Sequence, residues 1–143
     1  MTATDAEIRE MVVAAIGVLA AQNGGWVKRA ELSSLQLADD TTFRAIDQLS
    51  GIYNPRELDA TLSVISGPHR PYGDMQVADG VYPYDYRAGG PSGNNRKLVR
   101  AYELGVPIIL LLALPEPGFY APVMPCYVTD NDPQNHCVYL AVN

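Results

Sequence analysis

Three tyrosines occupy alternate positions in the run Val81-Tyr82-Pro83-Tyr84-Asp85-Tyr86-Arg87. Side chains alternate across an extended strand, so Tyr82, Tyr84 and Tyr86 share one face while Asp85 and Arg87 share the other. Upstream, Tyr72 and Asp74 fall between an apolar run and this strand. Phenol rings stack on planar heterocycles, and a carboxylate accepts a hydrogen bond from an exocyclic amine. A buried carboxylate discriminates sharply, because a ligand without the matching donor leaves the charge unpaired. Each residue also has a purely structural role open to it. Tyrosines on one strand face pack beneath a loop with their hydroxyls at the rim, and an aspartate such as Asp74 caps a turn.

Cations lie close by in the sequence. Between Gly67 and Arg100 the basic residues are Arg70, Arg87, Arg96, Lys97 and Arg100, against Asp74, Asp79 and Asp85. The whole chain nevertheless carries a net charge of −6, with a pI near 4.7. That balance argues against indiscriminate nucleic-acid binding, whereas a local basic strip holds a few phosphates with modest, salt-sensitive affinity.

Other chemistries find no support. His69, Cys126, His136 and Cys137 show neither CxxC nor HxxxH spacing, and the adjacent pair His136-Cys137 is poorly disposed for tetrahedral ligation. No GxSxG is present, and Gly89-Gly90-Pro91-Ser92-Gly93-Asn94 lacks the lysine and spacing of a phosphate loop. With no nuclease motif either, the expectation is a chain that is not an enzyme and needs no metal or cofactor.

The positioning elements follow from patterning. The 143 residues, 48% hydrophobic and 18% charged, suit one domain with a proper core, or a compact domain with a small appendage. Thr4-Asp5-Ala6-Glu7 forms a capping box, and Ile8, Met11, Val12, Ala15, Ile16, Leu19 and Ala20 recur at helical spacing until Gly24-Gly25. A short strand at 26–28, a short helix at 29–35 and a turn at 39–42 come next, while 43–49 is compatible with helix or strand. From Gly51 short apolar runs alternate with turn signals: 61–65, 81–87, 108–112, 119–123, 126–129 and 138–142. They predict an antiparallel sheet or barrel. One helix interrupts them, capped by Asn94 or Asn95, burying Leu98, Ala101 and Tyr102, and ended by Gly105 and Pro107. The expected layout is a helical head, residues 1–50, on a β-rich body, residues 51–143. An acidic amino terminus unlike a secretory signal, apolar runs too short to cross a bilayer and only two cysteines predict a cytoplasmic protein with no membrane partner.

The body resembles a known family. ATLSVISG, then PYGD, the tyrosine strand ending in YRAGG, then NNRKL and GVPIILLL, is similar to the SRA (SET- and RING-associated) domain. The closest likeness, from Gly51 to Val142 and more loosely in the head, is to the reader domains ahead of HNH nucleases in bacterial modification-dependent restriction enzymes. The resemblance implies an α+β fold, a PUA/SRA-like curved β-barrel behind a small N-terminal helical head. It implies recognition of double-stranded modified DNA, with 5-methylcytosine or 5-hydroxymethylcytosine flipped into an aromatic cage, and a nuclease domain elsewhere in the native protein. By position, Tyr72 is one stacking wall, Asp74 reads the base amine, and Tyr86, or Tyr84 in exchange, is the second wall, with Arg87 beside it. Arg96, Lys97 and Arg100 hold phosphates, and Arg70 belongs to the same backbone-contacting set. Two departures stand out. Gly90 to Asn94 is too short for the groove-entering loop usual in the family, a role left to His69-Arg70-Pro71, and Arg87 stands where a small hydroxyl residue is more common. A different class of function, a protein-interaction module with an acidic surface and no DNA binding, is the alternative.

Overall fold

The computed structural model describes residues 3–47, 51–67, 81–86 and 94–142. The first helix, α1, spans Asp5–Asn23. Its capping box is formed: the Glu7 N–H donates to Thr4 Oγ1 at 3.2 Å and the Thr4 N–H to Glu7 Oε1 at 2.8 Å. Gly24 closes it at φ 85°, a left-handed position where glycine carries no Cβ penalty. Ile8, Val12 and Ile16 point inward, with Met11, Ala15, Leu19 and Ala20 half-buried beside them.

Next come β1 (Val27–Lys28), α2 (Arg29–Ser33), β2 (Leu35–Gln36) and β3 (Thr42–Phe43), the last two paired as a small separate hairpin. The segment from 44 to 47 is irregular. The remaining elements are β4 (Ile52–Tyr53), β5 (Ser63–Ser66), β6 (Val81–Asp85), α3 (Asn94–Leu104), β7 (Pro107–Ala113), β8 (Phe119–Asp132) and β9 (Cys137–Val142). They form one sheet in the order β4-β5-β7-β8-β9-β6, with β1 alongside the start of β8.

The fold is α+β, and the sheet departs from the antiparallel expectation at one place. β5 and β7 run parallel, Ser63 opposite Ile109 and Ser66 opposite Leu112, across a connection that contains β6 and α3. A parallel pair buried on both faces needs a continuous apolar strand, which is why Ile108 to Leu111 are all apolar. Ile109 and Leu111 face a core built with α1, α2 and the hairpin, while Ile108 and Leu110 face a second core with Leu98 and Ala101 of α3. Residues of the expected head therefore share their core with Leu58, Leu62 and Tyr120 of the body. The runs 119–123 and 126–129, expected as two strands, are one 14-residue strand. Its first half borders β7 and its second borders β9, with register shifts at Ile108/Leu110 and Val128/Asp130 that bend it.

On α3, Leu98 and Ala101 are buried as expected, but Tyr102 is 41% exposed. Leu98, Ala101 and Tyr102 lie on one side of the helix at i, i+3 and i+4, and the sheet covers Leu98 and Ala101 but leaves Tyr102 at the margin of that stripe.

Candidate nucleic-acid interface

The tyrosine strand lies at one edge of the sheet, paired to β9 from Val81 opposite Ala141 to Asp85 opposite Cys137. Its three phenols do face one way, and they divide by depth. Tyr82 is 4% exposed and its hydroxyl meets Ser66 Oγ at 2.6 Å. Tyr84 is wholly buried, and its hydroxyl donates to the carbonyls of Ile65 at 2.9 Å and Gly51 at 3.3 Å. A ring enclosed in this way offers no face to a ligand, so the exchange between Tyr84 and Tyr86 as a stacking wall is closed here: Tyr84 is a core residue. The energetic reason is the second core, which needs a large apolar body at that position with its polar tip satisfied.

Tyr86 differs. It sits just beyond β6, half-buried, with its N–H donating to the His136 carbonyl at 2.7 Å. That amide is thereby committed to the fold. The Tyr86 hydroxyl donates to Asn131 Oδ1 on β8, and the His136 ring stands edge-on to it with centroids 6.2 Å apart. Burial raises the Tyr86 phenol above its ordinary value, keeping the hydroxyl protonated as a donor.

Asn131 links this ring to the basic helix. A groove of about 860 Å³ is lined by Arg96, Lys97, Val99, Arg100 and Glu103 of α3 together with Asp59 and Asn131. Arg96 and Arg100, one helical turn apart, are exposed, and Arg100 pairs with Glu103 at 3.2 Å. Lys97 is half-buried and its Nζ donates to the Asp59 carbonyl at 3.3 Å. The three cations expected to hold phosphates thus share one concavity with the residue that orients Tyr86.

The turn after β8 is held by Asp132, which accepts from the Asn135 N–H at 3.3 Å and from Asn135 Nδ2 at 2.8 Å. The Asn135 side-chain bond lowers the Asp132 carboxyl below its ordinary value. Cys137, at the start of β9, and Cys126 on β8 are both buried free thiols. Arg70, Tyr72, Asp74 and Arg87 lie outside the described residues, as does His69.

Two contributors to the site escaped sequence reading. Asn131 sits in Thr129-Asp130-Asn131-Asp132, which reads as a polar turn, and only the long β8 strand carries it to Tyr86. Arg9 reads as a solvated helix residue but is 3% exposed, with three backbone carbonyls as acceptors. Its signal was its place one residue after Ile8, on the inward stripe of α1. Among the described residues no helix is long and apolar enough to cross a membrane. Comparison of the chain with family models, with curated proteins and with solved structures finds no match.

Proposed function

We propose that this chain is a non-catalytic reader of modified double-stranded DNA that takes a modified cytosine, 5-methylcytosine or 5-hydroxymethylcytosine, out of the helix into an aromatic-walled pocket. The observation that carries the reading is the adjacency of Tyr86 to the basic groove through Asn131. An oriented aromatic ring beside a cluster of cations is what an extruded nucleotide requires, a stacking surface for the base and counter-charges for its flanking phosphates.

In this reading Tyr86 is one wall, Tyr72 the other and Asp74 the acceptor for the cytosine amine. Arg96, Lys97 and Arg100 hold the backbone, with Arg70 and Arg87 adding to them. Stacking contributes roughly 1–3 kcal/mol per base, comparable with the few kcal/mol needed to extrude one. The sheet is not a closed barrel, its order running from β4 to β6 among the described residues, and its curvature is what supports a PUA/SRA-like reading. Its β6 edge approaches β5 closely enough for Tyr82 and Tyr84 to bond Ser66 and Ile65, so the sheet curls back on itself. A nuclease domain in the native protein would supply the cutting that such a reader directs.

The test is a fluorescence-anisotropy titration of a short duplex carrying one modified cytosine against its unmodified twin at fixed salt. Tighter binding of the modified duplex is expected, and equal affinity ends the reading. A protein-interaction module remains the second reading, favoured by Val18, 56% exposed on α1 beside an apolar groove lined by Met11, Ala15, Leu19, Leu35 and Leu37. A stable protein partner together with no DNA binding at low salt would select it.

A further inference from the structure

We infer that Arg9 is a positioning residue for the phosphate-holding face of α3, acting through the strap Asp59-Ala60-Thr61; the inference rests on the DNA-reading function proposed above. The strap lies between α1 and α3 and is bonded to both. On the α1 side, Arg9 Nη2 donates to the Ala60 carbonyl at 3.1 Å and Nη1 to the Thr61 carbonyl at 2.9 Å. Nη1 also reaches the Pro107 carbonyl at 2.7 Å, at the start of β7. The guanidinium is itself aimed by Asp5, whose Oδ1 accepts from Arg9 Nε at 2.5 Å and whose Oδ2 accepts the Asp59 N–H at 3.2 Å.

On the α3 side both ends of the strap converge on one residue. The Thr61 N–H donates to the Lys97 carbonyl, and Lys97 Nζ donates to the Asp59 carbonyl, each at 3.3 Å. The strap is further pinned by the Thr61 hydroxyl, which donates to Asn54 Oδ1 at 2.6 Å. A planar guanidinium with fixed donor directions holds carbonyls in one arrangement, unlike the flexible lysine stem. Fixing the strap fixes the acceptor that holds Lys97 Nζ at the inner wall of the groove. An ammonium already restrained loses less freedom on meeting a phosphate. The helical head thereby gains a role in DNA binding without touching DNA.

A double-substitution cycle on the full chain separates this from simple attachment of α1. Arg9→Met and Lys97→Ala are made singly and together, and binding to modified and unmodified duplexes is titrated over a range of salt. Arg9→Met is expected to weaken both duplexes by roughly threefold or more, leave their ratio unchanged, and reduce the salt slope by up to about one. In the Lys97→Ala background the Arg9 substitution is expected to change nothing further. Equal losses in both backgrounds, or unaltered binding by the folded Arg9→Met protein, overturn the inference. Should Arg9→Met fail to fold, Asp5→Asn, which keeps the guanidinium but removes its aiming charge, is taken through the same cycle and read by the same criteria. Failure of the parent protein to prefer the modified duplex is a separate outcome: it overturns the reader function and this inference with it.

Discussion

Ser66 and Tyr82 meet hydroxyl to hydroxyl at 2.6 Å, between two strands that share no ladder with each other among the described residues. β4 is two residues long and pairs with Ser63 and Val64, and the Ile65 N–H continues that pairing to the Gly51 carbonyl at 2.8 Å. Tyr84 reaches the carbonyl of Ile65 and Tyr82 the hydroxyl of Ser66, so phenols link the β6 edge to β5.

Tyr84 is therefore expected to matter for stability. Tyr84→Phe removes the phenol donor from the Ile65 and Gly51 carbonyls, the latter still accepting the Ile65 N–H at 2.8 Å, and costs about 1–2 kcal/mol. Tyr84→Ala also opens a cavity, at about 3–5 kcal/mol. Urea denaturation followed by circular dichroism measures both, and a Tyr84→Phe protein as stable as the parent would refute the linking role.

Tyr86 separates stability from binding. Tyr86→Phe keeps the ring and loses only the bond to Asn131, so the preference for a modified duplex should largely survive. Tyr86→Ala should reduce that preference by about 1–3 kcal/mol, the worth of one stacked base. Anisotropy with paired duplexes reads the ratio directly.

The cations of α3 should act on all sequences alike. Arg96→Ala should weaken modified and unmodified duplexes equally and flatten the salt slope by about one. Glu103→Gln releases Arg100 from its ion pair and should tighten binding at low salt, with the gain fading as salt screens it.

Alkali should expose the burial of Cys126. Its thiol is pushed up from an ordinary 9.0 to about 12 by burial. The unfolded chain then loses this proton before the folded one does, so the stability is complete below pH 9 and declines as pH rises toward 12. The urea midpoint should fall through that interval, and less steeply in Cys126→Ala. Native Cys126 should also resist alkylation at pH 8 while the unfolded chain reacts.

Acid should act on the turn after β8. Asp132 is held below the ordinary carboxylate value by its Asn135 bond, so its contribution is present above that ordinary value and lost as pH falls through the lowered one. Protection of the Asn135 amide, taken relative to its intrinsic exchange rate at each pH, should fall in acid before global unfolding begins. Asp132→Asn should show no such pH dependence.

Local signals were legible wherever neighbours in sequence settle the outcome. The Thr4–Glu7 capping box, the stripe from Ile8 to Ile16 and the stop at Gly24 all lie within one helix and its ends. The alternation of Tyr82, Tyr84 and Tyr86 likewise set their shared face. Which tyrosine stays half-exposed was not legible, because depth depends on Gly51, Ile65 and Asn131, all distant along the chain. The parallel pairing of β5 with β7 escaped for the same reason: a parallel partner arrives by a crossover and leaves no hairpin turn to read. Arg9 escaped because a charge on an apolar stripe becomes intelligible only when its carbonyl acceptors are known.

Among the described residues the aromatic strand pairs with β9 alone, more than 50 residues further along the chain. During synthesis, the β9 partner of Val81 to Asp85 emerges only when α1, α3, β7 and β8 are already available to assemble. Such distant pairing is slow to form. A fragment stopping at Asp132 would retain the groove helix yet lose both β9 and the His136 carbonyl that holds Tyr86, so chain growth delivers the groove before the ring is fixed beside it.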